Sequence, residues 1–140
     1  MSEPNCIFCK IASGAIPAMR VYEDERVLAF LDINPLAHGH TLVIPKVHYR
    51  DIRDVPADMA GELAARLPKI TQAVMRAAGA TGMNILQNTG ESSGQAVFHL
   101  HIHLIPRRDG DGLGYRWNAG AYPAGAGEAM RQRVIEALRG

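Results

Sequence analysis

The sequence of 140 residues has little cysteine, no excess of charge of either sign and no long apolar run. Its two cysteines, Cys6 and Cys9, lie too close together along the chain to suit a structural disulfide. A net charge of +1 without a cluster of lysine or arginine gives no reason to expect a nucleic-acid groove. Residues 1–5 lack the basic start and apolar run of a signal peptide, and no apolar stretch approaches the length of a membrane span. We therefore expect a cytoplasmic protein that binds neither nucleic acid nor a membrane.

The composition predicts a single domain over residues 1–140. Hydrophobic residues make up 47% of the chain and charged residues 21%, which is the balance of an ordinary globular domain with a buried core. Short strand-like runs joined by polar turns flank one long helical pattern. This arrangement predicts an α+β fold with an antiparallel sheet.

The apolar pattern also predicts the bounds of the elements. Near Pro56 a long helix begins, and it presents one apolar stripe with helical spacing that contains Met59, Leu63, Leu67, Ile70, Val74 and Ala78. The β-branched run of residues 40–44 predicts a strand buried on both faces. Further helices are expected at residues 6–13 and 128–138, and further strands at residues 20–22, 26–31, 83–88 and 98–105.

The most informative pattern is a run of three histidines, His99, His101 and His103, that alternate with apolar residues at 98, 100, 102 and 104. A strand projects successive side chains to opposite faces, so the pattern predicts three imidazoles in one row and four apolar side chains on the core face. Imidazole titrates near neutral pH, which indicates proton handling, metal binding or nucleophilic attack. His101, in the middle of the row, is the strongest candidate for a nucleophile.

Two other interpretations of the histidine run remain open. The run could be an exposed strand whose polar face happens to carry histidine. Alternatively, the three imidazoles could chelate a catalytic zinc ion, although adjacent positions on one face of a strand are far apart for Zn–N bonds of about 2.0–2.1 Å to one ion.

The loop before the histidine run is rich in glycine and serine. Gly90, Ser92, Ser93 and Gly94 offer main-chain N–H groups, and Gln95 adds an amide donor. Such a loop can form an anion-binding nest, so it predicts a phosphoryl or carboxylate substrate.

The pair Cys6 and Cys9 forms a Cys-x-x-Cys motif with three possible meanings. It could be a redox dithiol, a pair of small buried thiols, or half of a zinc site. A zinc site would need two more ligands, which His48 and one histidine of the predicted strand could supply.

Taken together, these motifs resemble the nucleotide-binding branch of the histidine triad (HIT) family. The resemblance rests on the His-x-His-x-His run, on Gly94-Gln95 before it, and on the segments 6–11, 28–33 and 39–46, which occur in the same order and at matching spacing. It covers about residues 6–107, whereas the tail of residues 108–140 does not match the short tail of that branch. The resemblance implies a five-stranded antiparallel sheet with one long and one short helix. It also implies a homodimer in which the sheet continues from one subunit to the other.

The resemblance further implies hydrolysis or transfer of a nucleoside monophosphate through a nucleotidyl-histidine intermediate, most often from purine phosphoramidates. At the matching positions, His101 would be the nucleophile and His103 would contact the phosphate. His99 would orient the site, and His40 would support it. A dinucleoside polyphosphate hydrolase and a purine-nucleotide-binding regulatory protein with little catalysis are the alternatives.

The remaining implied contacts belong to the nucleotide and to a metal. Asp32 and Ile33 match ribose and base contacts, and the phosphate side of the pocket would be formed by Asn88, Gly94, Gln95, Ala96 and Val97. At Ala96 the phosphoramidase branch usually has serine, so one hydroxyl contact is absent. Bacterial members with the Cys-x-x-Cys motif resemble zinc proteins, which would place structural Zn²⁺ on Cys6, Cys9, His48 and His99.

Overall fold

The computed structural model describes residues 2–114 and 121–139; the rest of the C-terminal tail lies outside the described residues. None of the helices in these residues combines the length and the hydropathy of a membrane-spanning segment. The helices are α1 (Ile7–Ser13), α2 (Ala57–Ala78) and α3 (Ala126–Arg139), and a 3₁₀ turn spans Glu91–Ser93. The strands are β1 (Arg20–Glu23), β2 (Val27–Leu31), β3 (Thr41–Pro45), β4 (Gly82–Leu86) and β5 (Ile102–Arg107).

All five strands form one antiparallel sheet in the order β1-β2-β3-β5-β4. This confirms the predicted five-stranded antiparallel sheet with helices. The register of β3 and β5 places Leu42 opposite His103. The sheet therefore brings the histidine segment directly beside the strand that follows His40.

Alternation along the strands divides the core into two layers. Val27, Ala29 and Val43 pack with α2, whereas the residues that alternate with them in sequence pack with α1. The layer under α1 includes Leu28, Phe30, Leu42 and Ile44. Every residue of β3 is buried, which confirms the predicted strand with two buried faces.

The long helix α2 covers one face of the sheet with the predicted stripe. Met59, Leu63, Ile70 and Val74 are buried, and burial of side chains of this size contributes roughly 1.5–3 kcal/mol each. The helix ends where Gly79 adopts a left-handed conformation with φ of 64°, which suits glycine.

The histidine segment differs from the prediction at its start. The strand begins at Ile102 rather than at residue 98, because residues 97–99 form a bend after the glycine-rich loop and pair with no strand. Leu100 and Leu104 are buried as predicted, but Phe98 is 37% exposed and carries the Arg50 guanidinium 4.8 Å from its ring centroid. The prediction that Phe98 lies on the core face is therefore wrong. The alternation of a strand cannot extend through a bend.

Candidate active site and metal centre

The two cysteines lie at the start of α1, where the helix orients both sulfur atoms. Cys6 is the N-cap residue, and its Sγ accepts a hydrogen bond from the main-chain N–H of Cys9 at 3.4 Å. The Sγ of Cys9 accepts the N–H of Glu3 at 3.3 Å. Main-chain donors at a helix N-terminus favour a negatively charged sulfur.

Two histidines from distant segments complete this group. The Nδ1 of His99 lies 3.4 Å from the Sγ of Cys6 and 3.5 Å from that of Cys9, and the Nδ1 of His48 lies 3.3 Å from the Sγ of Cys9. All four potential ligand atoms lie within 4.8 Å of one another. Two thiols and two imidazoles gathered in this way form the usual donor set of a structural zinc site.

His99 carries its hydrogen on Nε2, so its Nδ1 is free to bind a metal ion. Its Nε2 lies 2.8 Å from the carbonyl oxygen of Pro45, which can only accept, so Nε2 carries the hydrogen and Nδ1 keeps its lone pair towards the sulfurs. Burial lowers the pKa of His99 to about 4, and burial also raises the pKa of the Cys9 thiol. The residues fit a cation, because a bound cation would stabilise the Cys9 thiolate that burial alone disfavours.

His101 lies next to the metal ligand His99 and is fixed by that residue's main chain. Its Nδ1 lies 2.7 Å from the carbonyl oxygen of His99, so Nδ1 carries the hydrogen and donates it. The ring packs against Phe8, with centroids 5.2 Å apart, and against His103, with centroids 4.9 Å apart. Burial lowers the pKa of His101 and outweighs the opposing attraction of Asp32. The ring is therefore neutral at pH 7, with a lone pair on Nε2.

His103 and His40 form a second pair beside His101. The Nε2 of His40 and the Nδ1 of His103 are 2.9 Å apart, and Oδ2 of Asp32 lies 3.8 Å from the same Nε2. Burial lowers the pKa of His103 to about 4, and repulsion from His101 and His40 adds to that effect. The pKa of His40 is also lowered by burial, which outweighs the attraction of Asp32. The site thus contains three neutral imidazoles near one carboxylate.

The structure brings the histidines together, but not in one row along a strand. Only His103 lies within β5, whereas His99 faces the thiols and His101 faces Phe8 and His103. A catalytic metal held by all three imidazoles does not fit this geometry, because the lone pair of His99 already points to Cys6 and Cys9.

The glycine-rich loop is held mainly by its own hydrogen bonds. The N–H groups of Ser93 and Gln95 donate to the carbonyl of Gly90, and the N–H of Gly94 donates to Glu91. The N–H of Gly90 donates to the side chain of Gln95 at 2.7 Å. Three of the four expected nest N–H groups, those of Gly90, Ser93 and Gly94, are therefore already used. Within the described residues no hydrogen bond occupies the N–H groups of Ala96 and Val97 at the loop's exit.

Gln95 is buried, and its amide joins three segments of main chain. Besides accepting the Gly90 N–H, it donates to the carbonyl oxygens of Arg50 at 2.8 Å and Val97 at 3.1 Å. These hydrogen bonds connect the glycine-rich loop to the main chain at Arg50. Gly94 adopts φ of +105°, and a Cβ there would lie 3.4 Å from the Nδ2 of Asn88. The loop thus packs closely on Asn88.

Asp32 and Ile33, the residues expected to contact the ribose and the base, lie at the exposed edge of the histidine cluster. Ile33 is 78% exposed beside the half-buried Asp32, whose Oδ1 accepts the N–H of Asn34 at 2.8 Å. Phe8 is buried in the layer under α1 together with Ile11 and Phe30.

Sequence reasoning missed the main-chain groups of the site. The carbonyls of Pro45 and His99 and the N–H of Leu36 each bind a histidine ring nitrogen. Every residue has such groups, so no side-chain pattern could have singled them out.

The model of the HIT domain family matches residues 13–110. The chain therefore belongs to the histidine triad family. "Protein hit" of Bacillus subtilis is 49% identical over 118 residues, which cover 84% of this chain and 81% of that protein. "Adenosine 5'-monophosphoramidase HNT1" of Candida albicans is 39% identical over 86% of this chain and 82% of its own. "Adenylylsulfatase HINT3" of Arabidopsis thaliana is 43% identical over 78% of this chain and 55% of its own length.

Solved structures agree with this assignment. A crystal structure of a Streptococcus mutans protein superposes with a TM-score of 0.90 at 43% identity and covers 99% of this chain and 88% of that one. A Zn-bound histidine triad family protein from Mycobacterium smegmatis has a TM-score of 0.75 at 40% identity, with 96% of each chain covered. Zinc is thus present in one similar protein, and this chain has a Cys/His group that could bind a metal.

Proposed function

We propose that the protein is a nucleotidyl hydrolase or transferase that cleaves purine nucleoside phosphoramidates through a nucleotidyl intermediate on His101. One observation carries the proposal: the His99 carbonyl, 2.7 Å from Nδ1 of His101, holds the hydrogen there and leaves a lone pair on Nε2. The relatives named adenosine monophosphoramidase and adenylylsulfatase support an adenylyl group as the part of the substrate that is transferred.

In the first step, Nε2 of His101 attacks the phosphorus of the nucleoside monophosphate. The new N–P bond forms while the P–N bond of the substrate breaks, and the leaving nitrogen departs as an amine after taking a proton from solvent. The His101 ring becomes cationic, and the His99 carbonyl that accepts its Nδ1–H stabilises that charge. In the second step water attacks the phosphorus, the N–P bond returns its electron pair to Nε2, and one proton is released.

Other residues would bind and orient the nucleotide. His103, whose ring lies beside that of His101, contacts a phosphate oxygen, and His40 supports it through their 2.9 Å contact. Asp32 and the exposed Ile33 provide the ribose and base contacts at the exposed edge of the histidine cluster. On the phosphate side of the pocket we place Asn88, two residues of the glycine-rich loop and the two residues that follow it. These four are Gly94, Gln95, Ala96 and Val97.

We assign Gln95 a positioning role within that group. Its buried amide already binds Gly90, Arg50 and Val97, so it holds the loop in place rather than contacting the phosphate. Ala96 offers no hydroxyl to a leaving group.

We also propose that Cys6, Cys9, His48 and His99 hold structural Zn²⁺. The close approach of the four ligand atoms and the free lone pair on Nδ1 of His99 support this assignment. When bound, the ion supplies positive charge that stabilises two thiolates and holds the His99 ring. Because the carbonyl of the same residue orients His101, the metal ligands position the nucleophile.

We further propose a homodimer in which the sheet continues across the two subunits. β4 is an edge strand, and Ile85 on it is 49% exposed. An unprotected edge strand with an exposed apolar side chain is well suited to pair with a second copy.

The relative named adenylylsulfatase favours a second candidate substrate, an adenylyl sulfate. The chemistry at His101 would be the same, with sulfate leaving in place of an amine. Side-by-side rates for the two substrates would rank them.

Steady-state kinetics with adenosine 5'-phosphoramidate test the main proposal. The variant His101→Ala should lower kcat/KM by about a thousandfold or more, because the nucleophile is absent. The matched control is His38→Ala, since His38 is an exposed histidine of the loop before β3. If His101→Ala keeps the rate of the unsubstituted protein, the assignment of the nucleophile is wrong.

A further inference from the structure

A main-chain amide determines which ring nitrogen of His40, and then of His103, carries the hydrogen. The N–H of Leu36 points at the Nδ1 of His40 from 3.0 Å. An amide N–H can only donate, so Nδ1 of His40 must keep its lone pair. A neutral imidazole has one hydrogen, and it therefore lies on Nε2.

The same reasoning extends to the next ring. Nε2 of His40 lies 2.9 Å from Nδ1 of His103, so the hydrogen of His40 is donated to His103. Nδ1 of His103 is then an acceptor, and the hydrogen of His103 lies on its Nε2. This leaves His103 with an N–H donor to offer to a negatively charged oxygen, in contrast to His101, which offers a lone pair.

We propose that the main-chain N–H of Leu36 is a positioning group that makes His103 a hydrogen-bond donor by fixing the tautomers of His40 and then of His103. The kinetic part of this inference rests on the proposed function, whereas the proton positions do not. The charged and titratable groups that face the pair are Asp32, 3.8 Å from Nε2 of His40, and the ring of His101. Neither group contacts Nδ1 of His40 within the described residues, so the amide is the group that requires a lone pair on Nδ1. The Asp32 carboxylate near Nε2 favours the same tautomer.

The tautomer of His40 also determines whether a second group of residues can bind a metal ion. Asp32, His40 and His103 bring their ligand atoms within 4.8 Å of one another. A metal would need the lone pair of Nε2 of His40, but that lone pair exists only if Nδ1 carries a hydrogen directed at the Leu36 N–H. The amide therefore disfavours metal binding at this position.

The sharpest perturbation replaces one atom. Incorporation of the α-hydroxy acid analogue of leucine at position 36 turns the amide into an ester and removes the N–H while the side chain stays. Leu36 is 52% exposed, so the change leaves the core intact. The matched control is the same exchange at Ala37, whose N–H makes no hydrogen bond in the described residues.

Two measurements on the full-length, zinc-loaded protein then test the proposal. Nitrogen-15 NMR of the histidine rings should show hydrogen on Nε2 of both His40 and His103 in the unmodified protein, and a mixture of tautomers in the ester at 36. The ester should lower kcat for adenosine 5'-phosphoramidate by roughly three- to tenfold, the effect of losing one neutral hydrogen bond, with little change in KM. The ester at 37 should change neither quantity.

The two measurements separate this inference from the proposed function. Hydrogen on Nδ1 of His40 in the unmodified protein, or an ester at 36 that leaves tautomers and kcat unchanged, overturns the inference. If the unmodified protein shows the expected tautomers but does not turn over the substrate, the inference stands and the proposed function fails. A simpler pair, Leu36→Pro against Leu36→Ala, repeats the comparison by removing the N–H in only one variant.

Discussion

Replacing Gln95 by alanine should destabilise the protein strongly although the residue lies in a surface loop. Gln95 is 4% exposed, and its side chain makes three hydrogen bonds to main-chain groups, at 2.7, 2.8 and 3.1 Å. The variant would leave the N–H of Gly90 and the carbonyls of Arg50 and Val97 without this partner. Loss of three such bonds costs about 2–4 kcal/mol, a large part of the 5–15 kcal/mol of a typical domain.

Urea unfolding at pH 7, with the same buffer and metal content for every variant, measures this loss. The matched control is Gln72→Ala on the exposed face of α2, which should change the free energy of unfolding by at most about 0.5 kcal/mol. Gln95→Glu keeps the acceptor for Gly90 but directs a carboxylate oxygen at two carbonyls, so it should be at least as unstable as Gln95→Ala at pH 7. If Gln95→Ala is as stable as the control, the hydrogen bonds of Gln95 do not stabilise the protein as we expect.

Three further outcomes follow from the structure. Because burial holds the pKa of His103 at about 4, nitrogen-15 NMR should show its ring neutral as the pH falls from 8 to about 5, with protonation only below that; a midpoint for this ring near the ordinary histidine pKa of about 6.5 would contradict the neutral state. Metal analysis of protein purified without added zinc should show that Cys9→Ser has lost most of the zinc. The control Ser13→Ala, at the end of α1, should retain it. Equal zinc contents in the two variants would exclude the proposed ligands. Ile85→Lys on the edge strand β4 should shift sedimentation towards the monomer, while Ile52→Lys, at another exposed isoleucine, should not; a dimer unaffected by Ile85→Lys would place the interface elsewhere.

Side-chain patterns were sufficient to predict most of the fold. The stripe of α2 and the buried strand β3 follow from local periodicity, and the structure confirms both. The Cys-x-x-Cys motif by itself left three interpretations open. The family resemblance implied His48 and His99 as its partners, and the folded chain brings both beside the thiols. A contact between residue 9 and residue 99 depends on tertiary packing, which periodicity cannot report.

The features that sequence reasoning missed all involve main-chain geometry. The bend at residues 97–99 ended the alternation early, so Phe98 points away from the core. The glycine-rich loop satisfied its own N–H groups through Gln95 and Gly90, which reduced the expected anion nest. The proton positions of His99, His101 and His40 likewise depend on a main-chain carbonyl or N–H, and these groups do not distinguish one residue type from another in the sequence.

Mass spectrometry of the intact protein during turnover tests the central claim most directly. With adenosine 5'-phosphoramidate as substrate and an alkaline quench that preserves P–N bonds, the protein should gain the mass of one adenylyl group. Peptide mapping should place that group on His101, and His101→Ala should not acquire it. An adduct on another residue, or rapid turnover with no adduct at any time, would contradict attack by His101.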